Sequence, residues 1–115
     1  MGHDRRVDGA LVAAAAAKAA QDPGTQELMR QLSDPVRLRL LYAVHAAPGH
    51  TVGELAEAVG ITPNNATKAL GQLTEAGLVH AITRGRSRHF ELADDTVHVL
   101  LHQLGAPHSP LHPPH

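Results

Sequence analysis

Apolar residues recur along the chain with two periods, and the change from one to the other marks out the elements. Residues 10–20, almost all alanine with Leu11, Val12 and Lys18, are strong helix formers and predict a first helix. The Asp22-Pro23-Gly24-Thr25 break separates it from a short helical segment carrying Leu28, Met29 and Leu32, with Thr25 as its predicted cap. Asp34-Pro35 then places a cap and a first-turn proline ahead of Val36, Leu40, Leu41 and Val44, whose spacing predicts an amphipathic helix over 35–47. Pro48-Gly49 stops it.

Two short helices follow in close succession. Thr51-Val52-Gly53-Glu54 is a capping box that opens a helix with Leu55, Ala56 and Val59 inward, and Gly60 ends it as a left-handed cap. Thr62-Pro63 opens the next, striped by Ala66, Leu70 and Leu73 and stopped at Gly77; the pair predicts a helix-turn-helix. Beyond it, Leu78–Ile82 and His89–Leu92 read as two short strands around the basic tip Arg84-Gly85-Arg86-Ser87-Arg88. Asp94-Asp95 opens a last helix to about Leu104, closed by Gly105-Ala106-Pro107. The predicted fold is mainly α with a small β-hairpin wing, a winged helix-turn-helix. Its expected divisions are a flexible N-terminal segment over 1–9, the folded domain over 10–104 and a His/Pro-rich disordered tail over 105–115.

Composition narrows the function. At 115 residues the chain holds one core, which must be aliphatic because Tyr42 and Phe90 are its only aromatics besides histidine. The absence of cysteine excludes disulfides, thiolate zinc sites and a cysteine nucleophile. The longest uncharged apolar run, Ala10–Ala17, is far short of the ~20 residues of a membrane span and lacks the layout of a signal peptide, so a cytoplasmic protein is expected. Gly-x-Ser-x-Gly, His-Glu-x-x-His and phosphate-cradling loops are missing, which argues against an enzyme.

Charge changes the picture further. The net charge is −1, yet from Thr62 to Phe90 four Lys/Arg face a single acid, Glu75. The second helix of a helix-turn-helix enters the major groove, and its exposed positions here carry Thr62, Asn64, Asn65, Thr67, Lys68 and, one turn on, Gln72. Asn suits adenine, Lys guanine, and Thr a thymine methyl or a phosphate. Arg84, Arg86 and Arg88 in the wing suit phosphate or minor-groove contact. Double-stranded DNA is the expected partner.

The run Leu32-Ser33-Asp34-Pro35-Val36-Arg37-Leu38-Arg39-Leu40-Leu41, the segment Glu54–Gly60 and the spacing of Asn64–Leu73 before Ala76-Gly77-Leu78-Val79 resemble the winged-helix repressors of the ArsR/SmtB family. The resemblance covers roughly residues 28–104. It implies a homodimer built on the first and last helices, and allosteric control by a metal ion. One group of the family senses metal through a Cys-x-Cys pair; Thr51-Val52-Gly53 stands there. Another uses Asp and His of the C-terminal helix, shared between subunits. This implies Asp94 or Asp95 as the carboxylate, although Thr96 and Val97 occupy the positions where the usual Asp-x-His would place its histidine. Lys68 also stands where many members have His.

The ten histidines bear on the same question. Asp95, His98 and His102 are spaced i, i+3, i+7 and fall within about 60° of one another on a helix, beside an apolar stripe of Val97, Leu101 and Leu104 suited to a partner helix. Imidazole and carboxylate suit Ni(II), Co(II), Zn(II) or Cu(II). Removal of Met1 would leave Gly2-His3, whose amine, amide and imidazole nitrogens form a planar chelate for Ni(II) or Cu(II). A Gly-His start also resembles the family's nickel-responsive branch. His108, His112 and His115 are left undecided, whereas His45, His50, His80 and His89 read as surface, turn or strand-end residues with no assigned role. The expectation is a homodimeric DNA-binding transcriptional regulator responsive to Ni(II), with Zn(II) or Co(II) as alternative ions and a second regulatory protein as a further partner. The competing reading is a winged-helix regulator not controlled by metal.

Overall fold

Six helices and three short strands follow one another along residues 5–107, the part of the chain that this computed structural model describes. They are α1 (Arg5–Ala20), α2 (Pro23–Leu32), α3 (Pro35–Ala46), β1 (His50–Thr51), α4 (Val52–Val59), α5 (Pro63–Glu75), β2 (Val79–Arg84), β3 (Ser87–Leu92) and α6 (Asp95–Gln103). Helix α1 begins five residues before the alanine-rich run, with Asp8 in its first turn, where a carboxylate complements the helix dipole. Among the described residues no helix is long and apolar enough to cross a membrane.

Each helix starts where a short polar side chain can take up an orphan amide. Asp22, not Thr25, caps α2: its carboxylate accepts from the Thr25 amide at 3.1 Å and from Thr25 Oγ1 at 2.8 Å, and Pro23 follows in the first turn. Asp34 accepts from the Arg37 amide at 2.9 Å to open α3. The α2 N-terminus also closes α1, since Gln26 Nε2 donates to the carbonyls of Ala19 and Ala20 at 3.0 and 3.1 Å.

The Thr51 capping box forms as expected. Thr51 Oγ1 accepts from the Glu54 amide at 3.2 Å, and Glu54 Oε1 accepts from the Thr51 amide at 2.9 Å. The Thr51 amide and hydroxyl, followed by His50, hold the Glu54 carboxyl below the usual glutamate range. A carboxyl depressed in the folded state stabilises fully above its unfolded value and loses that contribution as pH falls through the folded one. Glu54→Gln keeps the box geometry but removes the titration. The stability advantage of the wild type over this variant is therefore expected to be larger at pH 7 than at pH 3, read from urea midpoints. An equal difference at both pH values would show that the carboxylate is not held.

The hairpin arrives with an additional strand. β1 pairs antiparallel with β3 (His50 opposite Phe90, Thr51 opposite His89), giving a three-stranded sheet of order β1-β3-β2. Two residues carry too little pattern to predict a strand; the pairing exists because β3 offers a free edge, reinforced by the Gly49 amide donating to the Phe90 carbonyl at 2.9 Å.

The core is aliphatic. Leu40, Leu41, Val44, Leu55, Leu70, Leu73, Val79, Val97 and Leu101 are each at most 1% exposed, with Phe90 beside them. Met29 points to solvent and Gln31 is buried in its stead. Residues 105–107, expected to begin the tail, join the domain: Ala106 is buried, and its amide donates to the Leu101 carbonyl at 3.0 Å.

Candidate nucleic-acid interface and metal ligands

Helix α5 is held from below and presented from above. Ala66, Ala69, Leu70 and Leu73 are buried, so the 3.6-residue period turns Asn64, Asn65, Thr67 and Lys68 outward, and all four are exposed. Thr62 Oγ1 caps the helix by accepting from the Asn65 amide at 3.1 Å. Gly60, at φ +81, makes the left-handed turn that aims α5 away from α4. Gln72 differs from the other polar residues of this face. Its Oε1 accepts from Arg37 Nη1 at 3.1 Å, and it lines a polar cleft of about 370 Å³ with Glu27, Gln31, Glu75 and Ala76. The two carboxylates there make this end of α5 a poor place for phosphates, and the N-terminal half is the better reading surface.

The wing divides its three arginines. Arg84 pairs with Ser87 across a two-residue turn, Gly85-Arg86, in which Gly85 takes φ +63. Arg88 pairs with Thr83, so it lies on the opposite face of the ribbon from Arg84, and its guanidinium stands 5.6 Å from the centre of the Phe90 ring. All three are exposed. The tip expected over 84–88 is thus two residues long, because strand pairing extends to Arg84 and Ser87.

Comparison with known proteins agrees with this architecture. The helix-turn-helix domain family matches residues 32–81. The uncharacterized HTH-type transcriptional regulator YdfF of Bacillus subtilis is 34% identical over 83 residues, which are 72% of this chain and 37% of that protein. The chain thus spans little more than a third of that relative's length. The homodimeric winged helix-turn-helix DNA-binding domain of Mb0332 from Mycobacterium bovis, described as a possible ArsR-family transcriptional regulator, superposes with a TM-score of 0.68 at 25% identity, covering 76% of this chain and 81% of that one. The cadmium metal-sensor CMTR of Mycobacterium tuberculosis superposes with a TM-score of 0.61 at 31% identity, covering 78% of this chain and 96% of that one. This chain's fold is that of the winged helix-turn-helix regulators. The relative it matches is described as a transcriptional regulator, and no enzyme is among these proteins.

The residues expected to hold a metal are dispersed. His3 lies outside the described residues, as do His108, His112 and His115. Asp94 is the cap of α6, its Oδ1 accepting from the Thr96 amide at 2.6 Å. Asp95 and His102 are exposed, whereas His98 is buried. Among the described residues no three His, Asp or Glu side chains are grouped closely enough to hold an ion, so the carboxylate–histidine set is not assembled within one protomer. The apolar stripe beside it also faces elsewhere than expected. Val97 and Leu101 fill the protomer's own core, while Val99 and Leu104 stay exposed.

His45, given no role on sequence grounds, occupies a central place. It is fully buried, and its Nδ1 lies 3.2 Å from the Pro107 carbonyl. Its ring meets that of His98 edge-on, with centres 4.7 Å apart, and lies 6.4 Å from that of His102. The signal was present: His45 follows Val44 and lies one turn after Leu41, on the apolar stripe of α3. Of the other three histidines given no role, His89 is half-buried inside β3 and not at a strand end. His50 is 3.4 Å from Glu54, His80 is 3.6 Å from Glu91, and His89 Nδ1 donates to the Gly49 carbonyl at 2.7 Å.

Proposed function

We propose that this chain is a transcriptional regulator that binds a double-stranded operator in the cytoplasm as a homodimer, with affinity modulated by Ni(II) or a related ion, Zn(II) or Co(II). The observation that carries the DNA reading is the exposed N-terminal half of α5, Asn64, Asn65, Thr67 and Lys68, together with the exposed Arg84 and Arg86 of the wing. Dimerisation is supported by the apolar residues left uncovered on the first and last helices: Leu11 (68% exposed) and Val12 on α1, Val99 and Leu104 on α6. Metal control is supported by the imidazoles gathered around α6 and by the likeness to a cadmium sensor.

The experiment is a titration against a DNA site selected from a random pool, with Ni(II), with Zn(II) and with EDTA. Tight binding whose midpoint moves between the Ni(II) and EDTA arms is expected. Equal affinity in all three arms would remove metal control and leave the DNA reading standing. The second reading, a regulator governed by another effector or a second protein, is favoured by one observation: Asp94 is committed to capping α6 instead of facing the histidines.

A further inference from the structure

We propose that the groove between α3 and α4 is a binding site for a small apolar monocarboxylate. Such a site gives chemical content to the second reading above, a regulator governed by another effector, and rests on that reading for its link to DNA. Leu38, Arg39, Tyr42 and Ala43 of α3, with Ala58 and Val59 of α4, line a groove of about 600 Å³. That volume lies within the roughly 300–1,000 Å³ of small-molecule sites, which are mostly apolar and carry a few placed polar groups. The lining fits this description: aliphatic side chains and one aromatic ring, a guanidinium, and no acidic residue. The space persists because Ala43 and Ala58 stop at Cβ, where larger side chains would fill it from within.

Charge decides the ligand's sign. Arg39 Nε and Nη1 donate to the Pro35 and Val59 carbonyls, both at 3.4 Å, which stretches the side chain from α3 to the end of α4. Among the described residues no carboxylate pairs with this guanidinium, so its charge is free to meet a planar carboxylate. Tyr42 supplies a second donor. It is half-buried in the groove, and its hydroxyl has no hydrogen-bond partner among the described residues. An apolar body would cover Leu38, the Tyr42 ring and Val59, removing that surface from water. An amine would find no anion in the lining. Val59 is also the last residue of α4, directly before Gly60, whose left-handed turn aims α5. A ligand seated on Val59 therefore bears on the turn that orients the DNA-facing helix.

The test uses a reporter already in the groove, since Tyr42 is the sole tyrosine and the chain has no tryptophan. The full chain, without DNA, is titrated with octanoate while Tyr42 emission is followed, and calorimetry repeats the titration. A saturable change in emission is expected. Arg39→Gln should weaken octanoate binding at least about tenfold, the loss of one charge-assisted pair, and Lys18→Gln, an exposed cation on α1, should stay within about twofold. Octylammonium, with the same apolar chain and the opposite charge, should leave emission unchanged. No emission change and no heat with octanoate would overturn the site and leave the DNA reading standing. Equal binding of octylammonium, or full affinity in Arg39→Gln, would show apolar contact without recognition of a carboxylate and overturn it too. A change in Tyr42 emission on dilution alone would assign the groove to a second copy of the chain and overturn the ligand site.

Discussion

Replacing Asn64 and Lys68 by alanine is expected to weaken binding to a selected DNA site by about 1–3 kcal/mol for each base-reading side chain removed, and to relax the preferred sequence. Both side chains project from the exposed N-terminal half of α5, whose underside is locked by Ala66, Leu70 and Leu73, so neither substitution touches the core. Arg84→Ala and Arg86→Ala should act differently. On the proposed reading they remove phosphate-facing charges, so affinity is expected to fall evenly across sequences and the salt dependence to become shallower by about one counterion per arginine. Gln72→Ala is expected to matter less for DNA, because that amide is tied to Arg37 beside two carboxylates. Fluorescence anisotropy at several salt concentrations separates the three patterns. Equal losses from Gln72→Ala and Asn64→Ala would show that the C-terminal half of α5 also reads bases.

Leu73→Ala is expected to destabilise the protein by about 2–5 kcal/mol, a large share of the total stability of a domain this size. Leu73 is fully buried in α5 within the core shared by α3, α4 and the sheet. Truncating the isobutyl group there loses transfer free energy and leaves a cavity that rigid helices collapse into only in part. At roughly 4–8 °C per kcal/mol, the melting temperature should fall by more than about 8 °C. Met29→Ala is the control. Met29 is 51% exposed, and its loss should stay within about 0.5 kcal/mol. Thermal denaturation followed by circular dichroism reads both, and a small effect of Leu73→Ala would mean that the α5 underside is less tightly packed than its burial shows.

The α4–α5 pair was legible in the chain because its signals are local. Thr51 and Glu54 meet across one helical turn, Thr62 reaches the Asn65 amide three residues on, and Gly60 supplies a backbone angle other residues resist. The outward positions of α5 follow from the same period, which is why Asn64, Asn65, Thr67 and Lys68 are exposed as the spacing predicts. Gln72 and Arg88 escaped because their partners, Arg37 and Phe90, come from α3 and from the sheet, and no spacing within α5 or the turn reports on either.

The sequence by itself determined the helices, most of their caps, the hairpin and the aliphatic character of the core, since each depends on composition or on neighbours within a few residues. Tertiary structure alone decided which way α6 faces. Its periodicity allows Val97 and Leu101 to pack on a partner or on the protomer's own core; packing against α3 and β3 chose the core and carried His98 inward with them. The same packing brought His45, His98 and the Pro107 carbonyl together from positions 45, 98 and 107. Histidine placement along α6 follows from helical spacing, but the meeting of those side chains with His45 follows only from how two helices distant in the chain bury their apolar faces against each other.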